Sequence, residues 1–458
     1  MRSNQFHRFA NRSSGSRKPN LLTGWVATTV DGVESSSVKV GLLGCGNVGA
    51  ALVNLMTARR ESVTLRTGIT LDISRIAVRD LTAVRPGVDA ALLVSDAAAV
   101  VADPDVDLVV ELIGGIEPAR SLILDALNRG KPVITGNKAL LASHGAELFA
   151  AADANGVDLL FEAAVAGGIP LIRPLRESLI GEEVTRMMGI VNGTTNYILT
   201  RMTEAGADYA DALAEAQALG FAEADPTADV EGHDAAAKAA ILATIAFGVR
   251  VTAVDVSAQG ISGVSAVDVD FAKKLGFVIK LLAVAEEIDG QQSVRVHPAM
   301  VPKAHPLASV REAFNAVFVE GSSVGQLMFY GRGAGGGPTS SAVFGDLVDA
   351  AVNLRKGTHA SIGTFVEPSF ISPDDLVSAY YLSIDVNDRP GVLAAVANEF
   401  GAHAVSIRSM EQEGIGDGAR IIFITHVARQ ADVNACVAGL KNLEAVTSVN
   451  SLLRVIAA

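Results

Sequence analysis

The stretch VKVGLLGCGNVGAALVNLM, residues 38–56, decides the fold of the first third of the chain. An apolar, β-branched run is followed at once by glycines at 44, 46 and 49, and then by an Ala- and Leu-rich segment of helical character. Strand, glycine loop and helix in that order suit the pyrophosphate of a dinucleotide. Gly44 permits the tight turn, Gly46 lets the main chain approach the phosphates, and Gly49 lets helix and strand pack closely. Asn47 and Val48 open the helix and bring its amide groups and positive dipole end to the same place. Taken alone the spacing arises by chance in glycine-rich turns; its setting gives it weight. An acidic residue some way on favours the ribose of NAD, whereas a nearby arginine favours the 2′-phosphate of NADP. Arg79 and Asp80 stand together at the end of the second expected strand. Arg79 is the chosen phosphate contact, an ordinary exposed arginine is the competing reading, and NADP or NAD both remain open.

Working outward, short β-branched runs alternate with longer Ala- and Leu-rich segments, the pattern of βαβ units around a parallel sheet. Strands are expected at residues 38–43, 75–78, 108–113, 132–135 and 158–161, with helices at 50–58 and 119–128. This gives an α/β, Rossmann-type nucleotide-binding domain over residues 38–165. The pattern then changes. Strand-like runs at 187–191 and 293–296 surround long helical segments at 210–219 and 234–246, which implies a separate α+β catalytic and dimerisation domain over 166–330. The glycine-rich run 331–337 leads into a helix at 342–351, so segment 331–355 is expected to return to the first domain. Residues 356–373, with two prolines, read as a linker. A compact unit with strands near 380–386 and 421–425 closes the chain over 376–458.

The 458 residues carry a net charge of -13, which disfavours nucleic acid and anionic membranes, since both need clustered Lys and Arg. No apolar run is long enough to span a bilayer. The only cysteines, Cys45 and Cys436, offer neither a disulfide framework nor a multi-cysteine metal site, as expected of a cytoplasmic protein in a reducing compartment. The first stretch, Met1 to about Asn20, is rich in Arg and Ser and free of acid, the composition of a transit peptide. It lacks an amphipathic face and is read instead as a disordered tail over residues 1–37.

The segment richest in chemistry is AQALGFAEADPTADVEGHDAAAK, residues 216–238. Asp234 and Lys238 lie one turn apart on a helix that is apolar nearly all round, and such a helix is normally buried. A buried ammonium either acquires a carboxylate partner or has its pKa driven toward neutrality, and a lysine so held can exchange a proton with a reacting oxygen. That is what hydride delivery to a carbonyl requires. The solvated-loop reading stays open, chiefly for Asp225 and Glu231. A calcium loop does not fit, because Val230 stands where that loop needs glycine.

At this point a family resemblance becomes specific. Residues 216–238 resemble the homoserine dehydrogenase motif through Gly220, Phe221, Asp225, Pro226, Asp229, Gly232, Asp234 and Lys238. NGTTNYIL at 192–199, GNKALL at 136–141 and GAGGGP at 333–338 are similar to three further segments of that family, in the same order. The resemblance implies interconversion of L-aspartate 4-semialdehyde and L-homoserine with NADP or NAD, in threonine, methionine and isoleucine biosynthesis. It implies Lys238 as proton donor and Lys138 as a contact to cofactor and substrate. Glu223, Asp229, Asp234 and Thr194 match substrate-binding positions, and Gly220 and Gly335 match backbone contacts near the cofactor. Glu162, Val165, Gly167 and Ile169 match a monovalent cation site, for sodium or potassium, built mainly from backbone carbonyls. A homodimer or homotetramer is expected.

YLSIDVNDRPGVLAAV, residues 381–396, reads as strand, turn and helix, and resembles the ACT domain, a small ferredoxin-like βαββαβ module. Its helix start and strand edges suit an amino acid's charged groups. Attached to this enzyme it implies a threonine effector, with a ligand-free dimerisation module as the other reading. The enzymatic rival, an aspartate-semialdehyde dehydrogenase, needs a nucleophilic cysteine in its catalytic domain, and neither thiol stands there. The other rival is a catalytically inactive dehydrogenase-like amino-acid sensor; the intact Asp234, Lys238 and glycine loop count against it.

Overall fold

The structure is a computed structural model, and it describes residues 36–360, 363, 365–415 and 418–456. Most of the expected N-terminal tail lies outside the described residues. Ser36 and Ser37, which the sequence reading gave to that tail, are instead the first residues of β1 (Ser36–Leu43).

Strands β1, β2 (Ile69–Ala77), β3 (Leu93–Val94), β4 (Leu108–Glu111), β5 (Val133–Thr135) and β6 (Leu159–Leu160) form a parallel sheet in the order β3-β2-β1-β4-β5-β6. The order reverses between β1 and β4, and in open parallel sheets ligands bind at that switch point, beyond the strands' carboxyl ends. The crossovers run through α1 (Asn47–Thr67), α2 (Ala97–Ala102), α3 (Ala119–Asn128) and α4 (Lys138–Asn155). β2 starts earlier than its apolar end suggested, because ITLDIS alternates polar and apolar residues. Its Asp72 is tied by the Ser37 hydroxyl at 2.8 Å and by Arg60.

The second unit contains β7 (Val184–Ile190), α5 (Gly193–Ala205), α6 (Tyr209–Ala218), α7 (Thr227–Val230), α8 (His233–Phe247), β8 (Ser257–Ala258) and α9 (Ala266–Lys274). β9 (Phe277–Ile288), β10 (Gln291–Pro302), β11 (Phe314–Gly321) and β12 (Gly325–Arg332) complete its sheet. The long β9–β10 hairpin, only partly expected from sequence, turns at Asp289 and Gly290, whose φ values of 51° and 78° suit a two-residue loop of the primed type. The next helix, α10 (Gly336–Lys356), begins inside the glycine run and returns to the nucleotide-binding sheet. There Val343, Leu347, Ala350 and Ala351 bury against the face that also holds Val40, Leu42 and Leu52.

The last unit is β13 (Val377–Asn387), α11 (Val392–Ala402), β14 (Ile407–Ile415), β15 (Gly418–Thr425), β16 (Ala428–Arg429), α12 (Gln430–Asn442) and β17 (Val446–Val455). Its strands join those of the second unit in one eleven-stranded sheet whose main path is β12-β11-β7-β9-β10-β17-β13-β15-β14. The seam is a short parallel pairing of Ala299 and Met300 with Arg454 and Val455. Two residues of the stretch read as a linker are paired to the second unit: Val366 bridges Val249 and Phe370 bridges Gln292.

A buried carboxylate reinforces the seam. Asp268 on α9 accepts the Ser265 hydroxyl at 2.6 Å in a capping box, and also the Tyr381 hydroxyl at 2.9 Å and the Ser451 hydroxyl at 2.6 Å. Replacing it with alanine strands these buried donors, so Asp268→Ala is expected to lower stability by about 3 kcal/mol. A denaturant midpoint shift worth under ~0.5 kcal/mol would show that the carboxylate does not hold the two units together.

Candidate active site

The phosphate loop sits at the switch point. Gly44 has φ +92°, and a Cβ there would lie 2.6 Å from the Leu112 carbonyl oxygen, so only glycine fits. A Cβ on Gly46 would meet open space, which leaves the main chain bare for a ligand. α1 starts after Gly46 with no side-chain cap, and its first amides are free to receive an anion. The adjoining groove, of about 580 Å³, is lined by Gly44, Gly46, Arg79, Asp80, Arg85, Ser95, Gly114 and Pro118 among others. These features fit a dinucleotide.

Arg79 and Asp80 both line this groove, but the carboxylate of Asp80 is already engaged. It accepts the Thr82 hydroxyl at 2.6 Å and the Thr82 amide at 2.8 Å, bonds that hold it below the ordinary carboxylate range. Arg85, which sequence reasoning missed, donates to the carbonyls of Cys45 at 2.8 Å and Asp80 at 3.0 Å, and so ties the loop after β2 to the phosphate loop. Glu111 was also missed. Fully buried at the end of β4, it accepts the amides of Ile113 and Gly114 at 2.7 and 3.0 Å and the Thr135 hydroxyl at 2.6 Å, and thereby shapes the opposite wall. Burial pushes the Cys45 thiol up and keeps it neutral inside the loop, and the Cys436 thiol is pushed up to about 12. Neither is an activated nucleophile.

Asp234 and Lys238 lie on α8, buried on the side that faces α4 and the loop after β7. Lys238 Nζ donates to Asp234 Oδ2 at 2.7 Å and to the Val191 carbonyl at 2.7 Å. The other carboxylate oxygen, Asp234 Oδ1, pairs with Lys138, which opens α4 at the carboxyl end of β5. One carboxylate therefore joins the nucleotide-binding unit to the second unit. Desolvation acts to raise the Asp234 pKa, but the two ammonium groups outweigh it and hold the carboxyl far below the usual range. For Lys238 desolvation wins, and the amine sits below the ordinary lysine value despite its carboxylate.

Asp229 and Thr194 join the same cluster. Asn192 Nδ2 donates to Asp229 Oδ1 at 2.7 Å and to Asp234 Oδ2 at 2.8 Å. The Thr194 hydroxyl donates to the Phe221 carbonyl at 2.6 Å and reaches Asp229 Oδ2 at 3.2 Å. Gly220 (φ +76°) makes the turn before Phe221. Glu223 is exposed, and no hydrogen bond draws its carboxylate into the cluster among the described residues. Asp225 caps its own turn through Thr227 and faces solvent, as the solvated-loop reading has it.

The Glu162 carboxylate is consumed by the main chain. It accepts the amides of Leu171, Ile172 (2.7 Å) and Arg173 (2.9 Å). Only backbone oxygens are then left to ligate a cation in the turn that follows. Ala166 and Gly167 both have positive φ there, and among the described residues no loop or turn hydrogen bond uses the carbonyls of Val165, Gly167 or Ile169. That turn packs on the loop before α10, since a Cβ on Gly167 would lie 2.2 Å from the Gly333 carbonyl oxygen. Gly335 (φ +115°) stands in the same loop, and Gly336 lies against Asn47 at the head of α1. The loop therefore borders the phosphate site.

Comparison with known proteins agrees with this geometry. Residues 44–162 match the family model for the homoserine dehydrogenase NAD binding domain, residues 170–348 the homoserine dehydrogenase model, and residues 380–444 the ACT domain model. A homoserine dehydrogenase of Corynebacterium glutamicum is 51% identical over 425 residues, spanning 92% of this chain and 96% of that one. The crystal structure of a homoserine dehydrogenase from Thiobacillus denitrificans superimposes with a TM-score of 0.88 at 41% identity, over 92% of this chain and 99% of that one. A hyperthermophilic archaeal homoserine dehydrogenase solved in complex with NADPH aligns at 27% identity and a TM-score of 0.60, over 69% of this chain and 98% of that one. With a nucleotide groove, a buried lysine–carboxylate pair and these relatives along nearly its whole length, the chain belongs to the homoserine dehydrogenase family, as an oxidoreductase with a nucleotide-binding Rossmann domain and a C-terminal ACT domain.

Proposed function

We propose that the chain reduces L-aspartate 4-semialdehyde to L-homoserine, and runs the reverse, with Lys238 as the group that exchanges the proton. The nicotinamide, when bound, supplies or accepts the hydride. As the carbonyl is reduced its oxygen becomes an alkoxide, and Lys238 Nζ hands that oxygen a proton; in the reverse direction the neutral amine takes the hydroxyl proton. Asp234 and Lys138 orient the amine and the substrate. Asp229, Thr194 and Glu223 are the substrate-binding residues of this reading, Glu223 by closing over the site from its exposed loop. The observation that carries the proposal is the buried Lys238–Asp234 pair, made at 2.7 Å with the amine held below its ordinary pKa. The same intact pair argues against an inactive sensor. Lys238→Ala is expected to lose at least ~1,000-fold in kcat, about 4 kcal/mol of barrier, while cofactor still binds. Turnover within tenfold of the native rate, followed by reduced-nicotinamide absorbance with homoserine, would refute this role.

NADP is the favoured cofactor. Support comes from Arg79, free to meet a 2′-phosphate in the groove, from an Asp80 already engaged by Thr82, and from the NADPH found with the archaeal relative. Arg79→Ala is expected to raise KM for NADP at least tenfold and to change KM for NAD less than twofold. Equal effects on both would remove the phosphate contact. The backbone carbonyls of Glu162, Val165, Gly167 and Ile169 are the proposed seat of a sodium or potassium ion, which would brace the turn beside the cofactor loop; the unused carbonyls there support it.

The ACT domain is proposed to sense threonine and to inhibit the enzyme. α11 follows Gly391, its N-cap, where φ is +90° and no side chain caps the helix, so its amides suit an amino acid's carboxylate. A homodimer or homotetramer is supported by β12 and β14, the two end strands of the long sheet, with β14 exposed along nearly its whole length. The reading assigns the enzyme to the cytoplasm, consistent with two free, buried cysteines and with no helix among the described residues long and apolar enough to cross a membrane. Millimolar threonine should lower homoserine oxidation several-fold. A rate unchanged by threonine would end the feedback proposal.

A further inference from the structure

The side chain of Asn192 bonds both carboxylates of the proton-transfer cluster, Asp229 and Asp234. It stands in the turn between β7 and α5 and is buried. Its two ends do different work. The amide oxygen caps α5, accepting the Thr195 amide at 2.9 Å and the Thr195 hydroxyl at 2.9 Å. That cap fixes the side-chain rotamer and leaves Nδ2 aimed into the site. Both Nδ2 protons are then spent on carboxylates, one to Asp229 Oδ1 at 2.7 Å and one to Asp234 Oδ2 at 2.8 Å.

Asp234 Oδ2 is the same oxygen that receives Lys238 Nζ. The charged groups facing Lys238 are Asp234 on its own helix, Lys138 from α4 and Asp229 from α7. Asn192 stands between the two carboxylates as a neutral double donor. It keeps like charges apart without adding positive charge, and it draws electron density from the oxygen that would otherwise bind the ammonium more strongly. An ionic donor in its place would add a full charge; an acceptor would turn two attractive contacts into repulsive ones.

We propose that Asn192 is a positioning residue of the reaction, fixing the Asp234 oxygen that holds Lys238 and weakening that oxygen's hold on the proton to be transferred. The inference rests on Lys238 being the proton-exchanging group. Its sign follows directly. Homoserine oxidation needs the neutral amine, so its rate rises with pH through the Lys238 titration. Removing the donors while adding an acceptor strengthens the ammonium form and moves that rise upward.

Asn192→Asp makes this change and keeps the oxygen that caps α5. The expected result is a rise in kcat/KM for homoserine displaced upward by about one pH unit, hence a roughly tenfold loss below the rise, with cofactor affinity within twofold of native. Asn192→Ala, which removes donors and cap but adds no charge, is expected to lower kcat at least tenfold, with an upward displacement smaller than that of Asn192→Asp. A profile for Asn192→Asp that stays within about 0.2 pH units of native overturns the proposal, as does a loss of activity in both variants that only follows the folded fraction measured by circular dichroism. Should Asn192→Asp fail to fold, full activity in folded Asn192→Ala overturns it equally. Lys238→Ala, assayed alongside, separates the two ideas: if that variant still turns over, the underlying reading fails, whereas a dead Lys238→Ala with an unmoved Asn192→Asp profile removes the role of Asn192 alone.

Discussion

The site depends on one shared carboxylate. Asp234 has two oxygens and three donors: Lys138 on one oxygen, and Lys238 with Asn192 on the other. In a buried place an isolated ion of either sign would be prohibitively costly, so the group survives only because opposite charges and hydrogen bonds meet there together. The three donors come from the start of α4, from α8 and from the loop after β7. The nucleotide-binding unit and the second unit thus share one polar centre, and the gap between them has a defined geometry. Lys238 is nevertheless left with depressed basicity, since burial outweighs the pull of its partner.

The supporting structure follows a similar logic of spending polar groups on the main chain. Glu111 organises the loop after β4, and Glu162 collects three amides at the start of the segment after residue 170. Arg85 clasps two carbonyls across the groove. Each converts a loop, normally the softest part of a parallel α/β sheet, into a wall of fixed shape. The precision needed for hydride and proton to arrive together at neighbouring atoms comes from such walls.

Much of this was legible in the amino-acid sequence, for identifiable reasons. The glycine loop could be read because its conformational demands leave few residue choices, and the charged pair on α8 because a lysine and an aspartate on an otherwise apolar helix have nowhere else to put their charge. β2 and the β9–β10 hairpin were cut short because β2 carries a half-buried Asp and the hairpin's buried positions include Lys, His and Gln, whose partners come largely from other elements: Lys280 of β9, for example, is buried against Asn196 and Val310. The Asp-Gly pair at 289 and 290 was the available turn signal. Asn192, Arg85 and Glu111 act through contacts with residues 37, 40 and 24 positions away respectively, and no local pattern records such pairs. The tail boundary was misjudged at Ser36 and Ser37 because serine carries little strand preference of its own; pairing with Ile69 and Thr70 of β2 decides it.

The seam between β10 and β17 has a consequence for how the last unit can be treated as a module. Its strands are hydrogen-bonded into the same sheet as the catalytic body, and the Asp268 contacts lock that joint from one side. A hinged swing on a loose tether is therefore not open to it: a bound effector would have to slide or twist strands, and the displacement would be felt along the sheet in β10 and β9. Severing the chain near residue 376 would not liberate a tidy core enzyme either. It would bare the hydrogen-bonding margin of β10 and the apolar surface under Tyr381, Leu453 and Val455, leaving a sticky, half-finished sheet that invites other chains to complete it.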